Sequence, residues 1–410
     1  MIVPALHSLS SPSPSPSPSP ASAPVAAPLR LAELRRTLAE GRKGGLARAL
    51  ARLEQAPDSP EVLELLEAAW QDPAPATAQV IGLTGPPGVG KSTLTGALIA
   101  ALRQQGRRVA VIAVDPSSRR SGGALLGDRV RLATDPEDGG VFVRSMAARD
   151  RLGGLAELTV SAMVLLRALF DVVLIETVGV GQSETDVAGV VDTVVFCVQP
   201  GSGDSLQFMK AGIVEIPHVV AVTKADLGAP ARRALADVGA ALGVSGQAAF
   251  SASSLPAGGE RQTPGDDGWT VPVLAVSASR REGLEALLEA LAAHAAYLRG
   301  GGGVSGDGNR LVRQRRRQAG LWLEEALRDR FGREGMRLLS RQPDGRAEAP
   351  AALLPAGSPF TRLAEQTGRL RQLWQQAFSA IRADPAGKPA DQEQAGQERA
   401  GQERAGQERG

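Results

Sequence analysis

From residue 79 onward, short runs that are apolar at nearly every position alternate with longer segments whose apolar residues recur every three or four places. The short runs are QVIGLTG, RVAVIAVD, GVFVRSM, DVVLIETVG, DTVVFCVQP, HVVAVTKAD and VPVLAVSA. A strand with one wet face alternates polar and apolar residues. A strand apolar at every position is covered on both faces, as in a parallel sheet. Strands alternating with helices predict βαβ units and a doubly wound, mostly parallel α/β sheet. Such a sheet takes its ligands at the carboxyl ends of its strands.

The flanks carry other patterns. Residues 1–28 include SPSPSPSPSP, which has no apolar surface for a core and reads as an extended, disordered leader. Over 29–75, LRLAELRRTLAE and GLARALARLE space leucine helically, and Asp58-Ser59-Pro60 opens a third helix with proline in its first turn. The α/β domain spans 76–299, with a Gly-, Ser- and Pro-rich inserted loop at 243–268. A glycine-rich linker, 300–309, leads into a C-terminal helical arm ending at 384, in which Trp322 and Trp374 are the expected apolar anchors. The arginine run at 313–317 reads as a solvated helix face or, alternatively, a phosphate contact. Residues 385–410 repeat AGQER and read as a solvated, disordered tail.

Composition narrows the function classes. The 410 residues are 43% hydrophobic and 22% charged with a net charge of +2, which argues against a general nucleic-acid or anionic-membrane binder. The most apolar long window, 161–180, is interrupted by Arg167, Asp171 and Glu176, so no membrane span is expected. No secretory signal is legible at the N-terminus. The single cysteine, Cys197, excludes a disulfide framework, reads as a core residue and suits a reducing cytoplasm. Of 46 basic residues only Lys43, Lys91, Lys210, Lys224 and Lys388 are lysines. A compact ammonium differs chemically from a guanidinium, so the three lysines in strand-end motifs of the α/β domain mark positions that require one.

The first motif is GPPGVGKST, residues Gly85, Pro86, Pro87, Gly88, Val89, Gly90, Lys91, Ser92 and Thr93, between a strand and a helix. It satisfies GxxxxGK[ST]. The loop's amides can wrap phosphates at a helix N-terminus, Lys91 can reach the β- and γ-phosphates, and Ser92 can ligate Mg²⁺. TKAD, at Thr223, Lys224 and Asp226, follows a later strand, and Thr223 stands where the usual guanine signature has asparagine. Asp226 can accept hydrogen bonds from the donor edge of guanine. Adenine would leave that carboxylate unpaired. The stem of Lys224 can cover the base, and a backbone amide at Ala278, beside Ser277 in SAS, can reach the guanine oxygen. Together these predict GTP rather than ATP.

Glu176 ends the run DVVLIE, where an unpaired carboxylate is costly. It occupies the place of the aspartate in DxxG, with Gly179 as the glycine. There it can order Mg²⁺ through water, while the Gly179 amide senses the γ-phosphate. Asp115, ending VIAVD, and Asp128, in LGDRVR, can hold the metal or orient the attacking water. Asp128 can equally be a plain loop residue.

GPPGVGKST, VDPSSRRSGGALLGDRVR, LGGLAELT, ETVGVGQSE, PGSGDSLQFMKAGIVE, TKAD and VPVLAVSA occur in the order found in the MeaB type of methylmalonyl-CoA mutase-associated GTPases, whose relatives are also called ArgK or LAO/AO transport kinases. The chain resembles that family over about 29–384. The resemblance implies a P-loop GTPase chaperone of an adenosylcobalamin-dependent acyl-CoA mutase, supporting cofactor loading and reactivation, and a homodimer joined through the C-terminal arm. It implies Asp115, Asp128 and Glu176 as the acidic metal set, and Gln207 and Lys210 in a mobile segment coupling hydrolysis to the mutase. Two other readings stay open. A kinase of the ArgK type needs an acceptor pocket with its own base. A metal-insertion GTPase needs a His or Cys cluster, whereas His7, His218 and His294 lie scattered along the sequence.

Overall fold

The computed structural model describes residues 30–73, 77–116, 135, 137–148, 157–177, 187–201, 216–243, 268–300, 309–340 and 357–383, with backbone only for 115–116, 147–148, 340, 377–378 and 380–383. Among these, seven strands form one sheet: β1 (Gln79–Thr84), β2 (Val109–Pro116), β3 (Val141–Ala148), β4 (Val172–Glu176), β5 (Thr193–Val198), β6 (Val219–Val222) and β7 (Val273–Ala275). Their order is β3-β2-β4-β1-β5-β6-β7, and every pairing is parallel. All seven arise from the apolar runs.

The sheet's two faces are both buried, which hides the period of two in the sequence. Ile81, Leu83, Val109, Val111, Val172 and Leu174 point into one core, with α4 (Lys91–Gln104) and α7 (Leu284–Arg299). Their neighbours Val80, Ala110, Ile112, Val173 and Ile175 point into the other. That second core is built by α1 (Leu31–Ala39), α2 (Gly44–Gln55), α3 (Pro60–Gln71) and α5 (Glu157–Arg167). It also contains Trp322, Leu327 and Leu363 of the C-terminal helices α8 (Arg310–Ser340) and α9 (Pro359–Ala383). Near β6 and β7 this face is completed by α6 (Ala229–Ala241). Each fully buried leucine of this layer contributes about 2 kcal/mol of transfer free energy.

The helical flanks therefore pack on each other as well as on the sheet. Glu67 of α3 accepts the Ser358 amide at 3.1 Å and the Thr361 hydroxyl at 2.6 Å, fixing the start of α9. Trp322 meets Phe360 edge to face at 5.0 Å and is buried. Trp374, the other expected anchor, rests on Phe331 but stays 40% exposed. Gly332, at φ +63° and ψ −169°, breaks α8 into two helices, directly after the amphipathic pattern RLVRQRRRQAGLWLEEALRDRF ends at Phe331.

Two other expectations are corrected. Within the arginine run, Arg315 is not on a solvated face. Its Nε and Nη2 donate to the two oxygens of Asp192 at 2.8 and 2.7 Å, and Nη2 also reaches the Ala78 carbonyl at 2.9 Å. The side chains are 11% and 4% exposed. His218 and His294 are not scattered in space. Their rings meet at a tilt of 35° with centroids 4.4 Å apart at the amino ends of β5 and β6, with Trp269 against His294 at 4.8 Å. His218 Nδ1 accepts the Val194 amide, and His294 Nδ1 bonds the Thr193 hydroxyl. Burial lowers both pKa values, His218 to about 4, so the pair is a neutral structural wedge.

Candidate nucleotide site

β1 lies at the centre of the sheet and ends in the phosphate loop. Gly85 must be glycine: at φ +135° it passes so close to β5 that a Cβ would lie 2.3 Å from the Cys197 carbonyl oxygen. Cys197 is buried there, its thiol pushed up to about 12 by burial, and is a core residue as expected. Gly90, at φ +104°, turns the chain into α4, and no side chain caps that helix. The first-turn amides and the helix dipole thus face the loop's interior, where an anion is favoured. Pro87, Gly88 and Thr93 are exposed, while Pro86 and Val89 are buried.

Lys91 is 6% exposed and folds back over the loop, donating to the Gly85 and Pro86 carbonyls at 2.7 and 3.1 Å. Glu176 ends β4 beside Leu83 of β1 and is also 6% exposed. Ser92 donates to its Oε1 at 2.5 Å and Thr95 to its Oε2 at 3.0 Å. Serine hydroxyl and carboxylate form an all-oxygen donor set, which fits Mg²⁺. Asp115 lies at the carboxyl end of β2, paired with Ala147 of β3, two residues beyond the position that pairs with Glu176. Asp128, Gly179, Gln207 and Lys210 lie outside the described residues.

The TKAD segment clasps the phosphate loop directly. Thr223 donates to the Val89 carbonyl at 2.7 Å, with the Val198 carbonyl at 3.1 Å as a second acceptor. Lys224, held at φ +52°, places Nζ 2.9 Å from the Gly88 carbonyl and 2.8 Å from Gln199 Oε1. Asp226 accepts the Ser277 hydroxyl at 2.7 Å. That bond and the residue's own amide hold its carboxyl below the usual range. Ser277 belongs to a turn pinned by reciprocal backbone bonds with Glu282, and Gly283 passes so close to Ala275 that a Cβ would lie 2.0 Å from its oxygen. The Ala278 amide takes no acceptor among the described residues.

Two contributors escaped the sequence reading. Thr95 lies one helical turn after Lys91 and is fully buried, and its position in GKSTLT was the available signal. Gln199, just past β5 in VQPG, tethers Lys224. No motif marks it.

Comparison with known proteins agrees with this architecture. The family model described as "Methylmalonyl Co-A mutase-associated GTPase MeaB" matches residues 46–335. A Caulobacter vibrioides protein named "Putative GTPase" is 36% identical over 305 residues, 74% of this chain and 86% of that protein. The mouse "Methylmalonic aciduria type A homolog, mitochondrial" is 46% identical over 165 residues, 40% of each chain. A crystal structure of a protein named "LAO/AO transport system kinase" superposes with a TM-score of 0.53 at 28% identity, covering 83% of this chain and 97% of that one. With its seven-stranded parallel sheet and phosphate loop, the chain is a P-loop GTPase that belongs to the MeaB family of methylmalonyl-CoA mutase-associated GTPases.

Proposed function

We propose that this GTPase binds Mg²⁺·GTP at the carboxyl edge of the sheet and hydrolyses it in the service of an adenosylcobalamin-dependent acyl-CoA mutase. The observation that carries the nucleotide reading is the clasp of Thr223 and Lys224 on the carbonyls of Val89 and Gly88. It ties Asp226 and the phosphate loop into one pocket edge.

In this reading the loop amides of 86–92 bind the phosphates, and Lys91 exchanges its two carbonyl partners for phosphate oxygens. Ser92 and Glu176 hold the metal site, with Asp115 and Asp128 completing its acidic set. Mg²⁺ there supplies neutralisation of the phosphate charge. Asp115 orients the attacking water, and the Gly179 amide follows the γ-phosphate. The products are GDP and inorganic phosphate. Lys210 belongs to the segment that reports this to the partner. The mutase assignment is supported by the family's description, and the mouse relative is named for methylmalonic aciduria; cofactor loading and reactivation are the proposed form of that association. The arm at 300–384 is the proposed homodimer contact. No helix among the described residues is long and apolar enough to cross a membrane.

Lys91→Ala removes the charge aimed at the transferring phosphate and is expected to lower GTP turnover by at least about 100-fold. Unchanged turnover contradicts the site assignment. Affinity capture from the native extract with a non-hydrolysable GTP analogue is expected to retain a cobalamin-dependent mutase. Transfer of labelled γ-phosphate to an organic acceptor rather than to water would instead favour a kinase, the activity named for the solved relative.

A further inference from the structure

Thr223 stands where the guanine signature has asparagine, and its side chain is 5% exposed. A threonine hydroxyl has one proton to donate. Both acceptors that the structure gives it, Val89 O at 2.7 Å and Val198 O at 3.1 Å, belong to the protein. Toward a ligand, residue 223 therefore offers only oxygen lone pairs. An asparagine amide has two N–H groups, enough to keep the tether to the phosphate loop and still donate to a base.

Lys224 and Asp226 beside Thr223 have protein partners of their own. The Lys224 ammonium is held by the Gly88 carbonyl and by Gln199. Asp226, a carboxylate partnered on Oδ1 by Ser277, can only accept. The Ala278 amide can donate, but it sits in the Ser277 turn beside Asp226, with the groups that suit the guanine N1–H, amino and carbonyl edge.

We infer that this chain reads guanine through its six-membered-ring edge alone and leaves the N7 acceptor unread, because Thr223 keeps the tether and has no proton left for the base. This specificity device rests on the nucleotide reading above. It separates two roles that one asparagine can combine, holding the phosphate loop and recognising the imidazole ring of the purine.

The test compares GDP with 7-deaza-GDP, in which N7 is replaced by C–H, by calorimetric titration of the full chain with Mg²⁺. The two are expected to bind within about threefold of each other, since no hydrogen bond is lost. Thr223→Asn is expected to tighten GDP by about fivefold and to lose that gain with 7-deaza-GDP. The native chain alone suffices if that variant does not fold. Tight GDP binding with a loss of about tenfold or more for 7-deaza-GDP overturns the inference and leaves the nucleotide reading standing. Failure of GDP itself to bind overturns both.

Discussion

Replacing Arg315 by methionine tests how the C-terminal helix is joined to the nucleotide-binding sheet. Arg315 and Asp192 are 11% and 4% exposed, and their bidentate contact lies at the amino end of β1, the strand that leads into the phosphate loop. The variant fills most of the space with apolar atoms but removes the guanidinium's described hydrogen bonds to Asp192 and Ala78. Asp192 is then a nearly buried carboxylate whose remaining described donor is the Val80 amide at 2.8 Å. Removing one partner of such a pair costs about 3–5 kcal/mol, because the other charge stays buried, whereas an exposed pair would cost about 0–1 kcal/mol. At a urea m-value of about 3 kcal/mol/M the midpoint should fall by about 1 M. The loss should be nearly independent of added NaCl, since screening acts on exposed charges. Adding Asp192→Asn, which removes the stranded charge and keeps an acceptor for Val80, should recover much of the loss. Urea titrations by circular dichroism at low and high salt measure all three. A loss under about 1 kcal/mol, or one abolished by salt, would mean the pair behaves as a surface contact and the reasoning is wrong.

Two further outcomes follow from the geometry. Burial lowers the pKa of both His218 and His294, so the native state takes up protons later than the unfolded chain. Their contribution is complete above the ordinary value of about 6.5 and is lost as pH falls toward about 4 for His218. At pH 5 the loss is about 2 kcal/mol per ring, and ring proton resonances that titrate near 6.5 for either histidine would refute the assignment. Thr95→Val keeps the shape but removes the hydroxyl on Glu176 Oε2. It should raise the Mg²⁺ requirement for turnover several-fold, by about 1 kcal/mol, with Thr95→Ser restoring it. A valine variant with native magnesium dependence would show that Thr95 does not position Glu176.

The sheet was legible because a parallel strand is buried on both sides, and runs such as VVLIE and TVVFCV have few alternatives once helices lie between them. The phosphate loop was legible because its glycines answer to local backbone demands, as the positive φ of Gly85, Gly88 and Gly90 illustrates. Asp226 and Ser277 could be proposed as neighbours only through motif order, and their 2.7 Å contact is a tertiary fact. What escaped the sequence was pairing across long separations. Arg315 reads as one cation among several until Asp192, 123 residues away, covers it. The two histidines are 76 positions apart and meet because β6 begins beside α7.

The most direct test of a guanine pocket assembled at this sheet edge is a comparison of GTP and XTP on the native chain and on Asp226→Asn. Xanthine carries a carbonyl where guanine carries an amino group, so it needs a donor where guanine needs an acceptor. The native chain should prefer GTP by about 100-fold, and the asparagine variant should reverse the order. Equal GTP affinity in the two proteins would contradict the placement of Asp226 against the base, and with it the account given for the site.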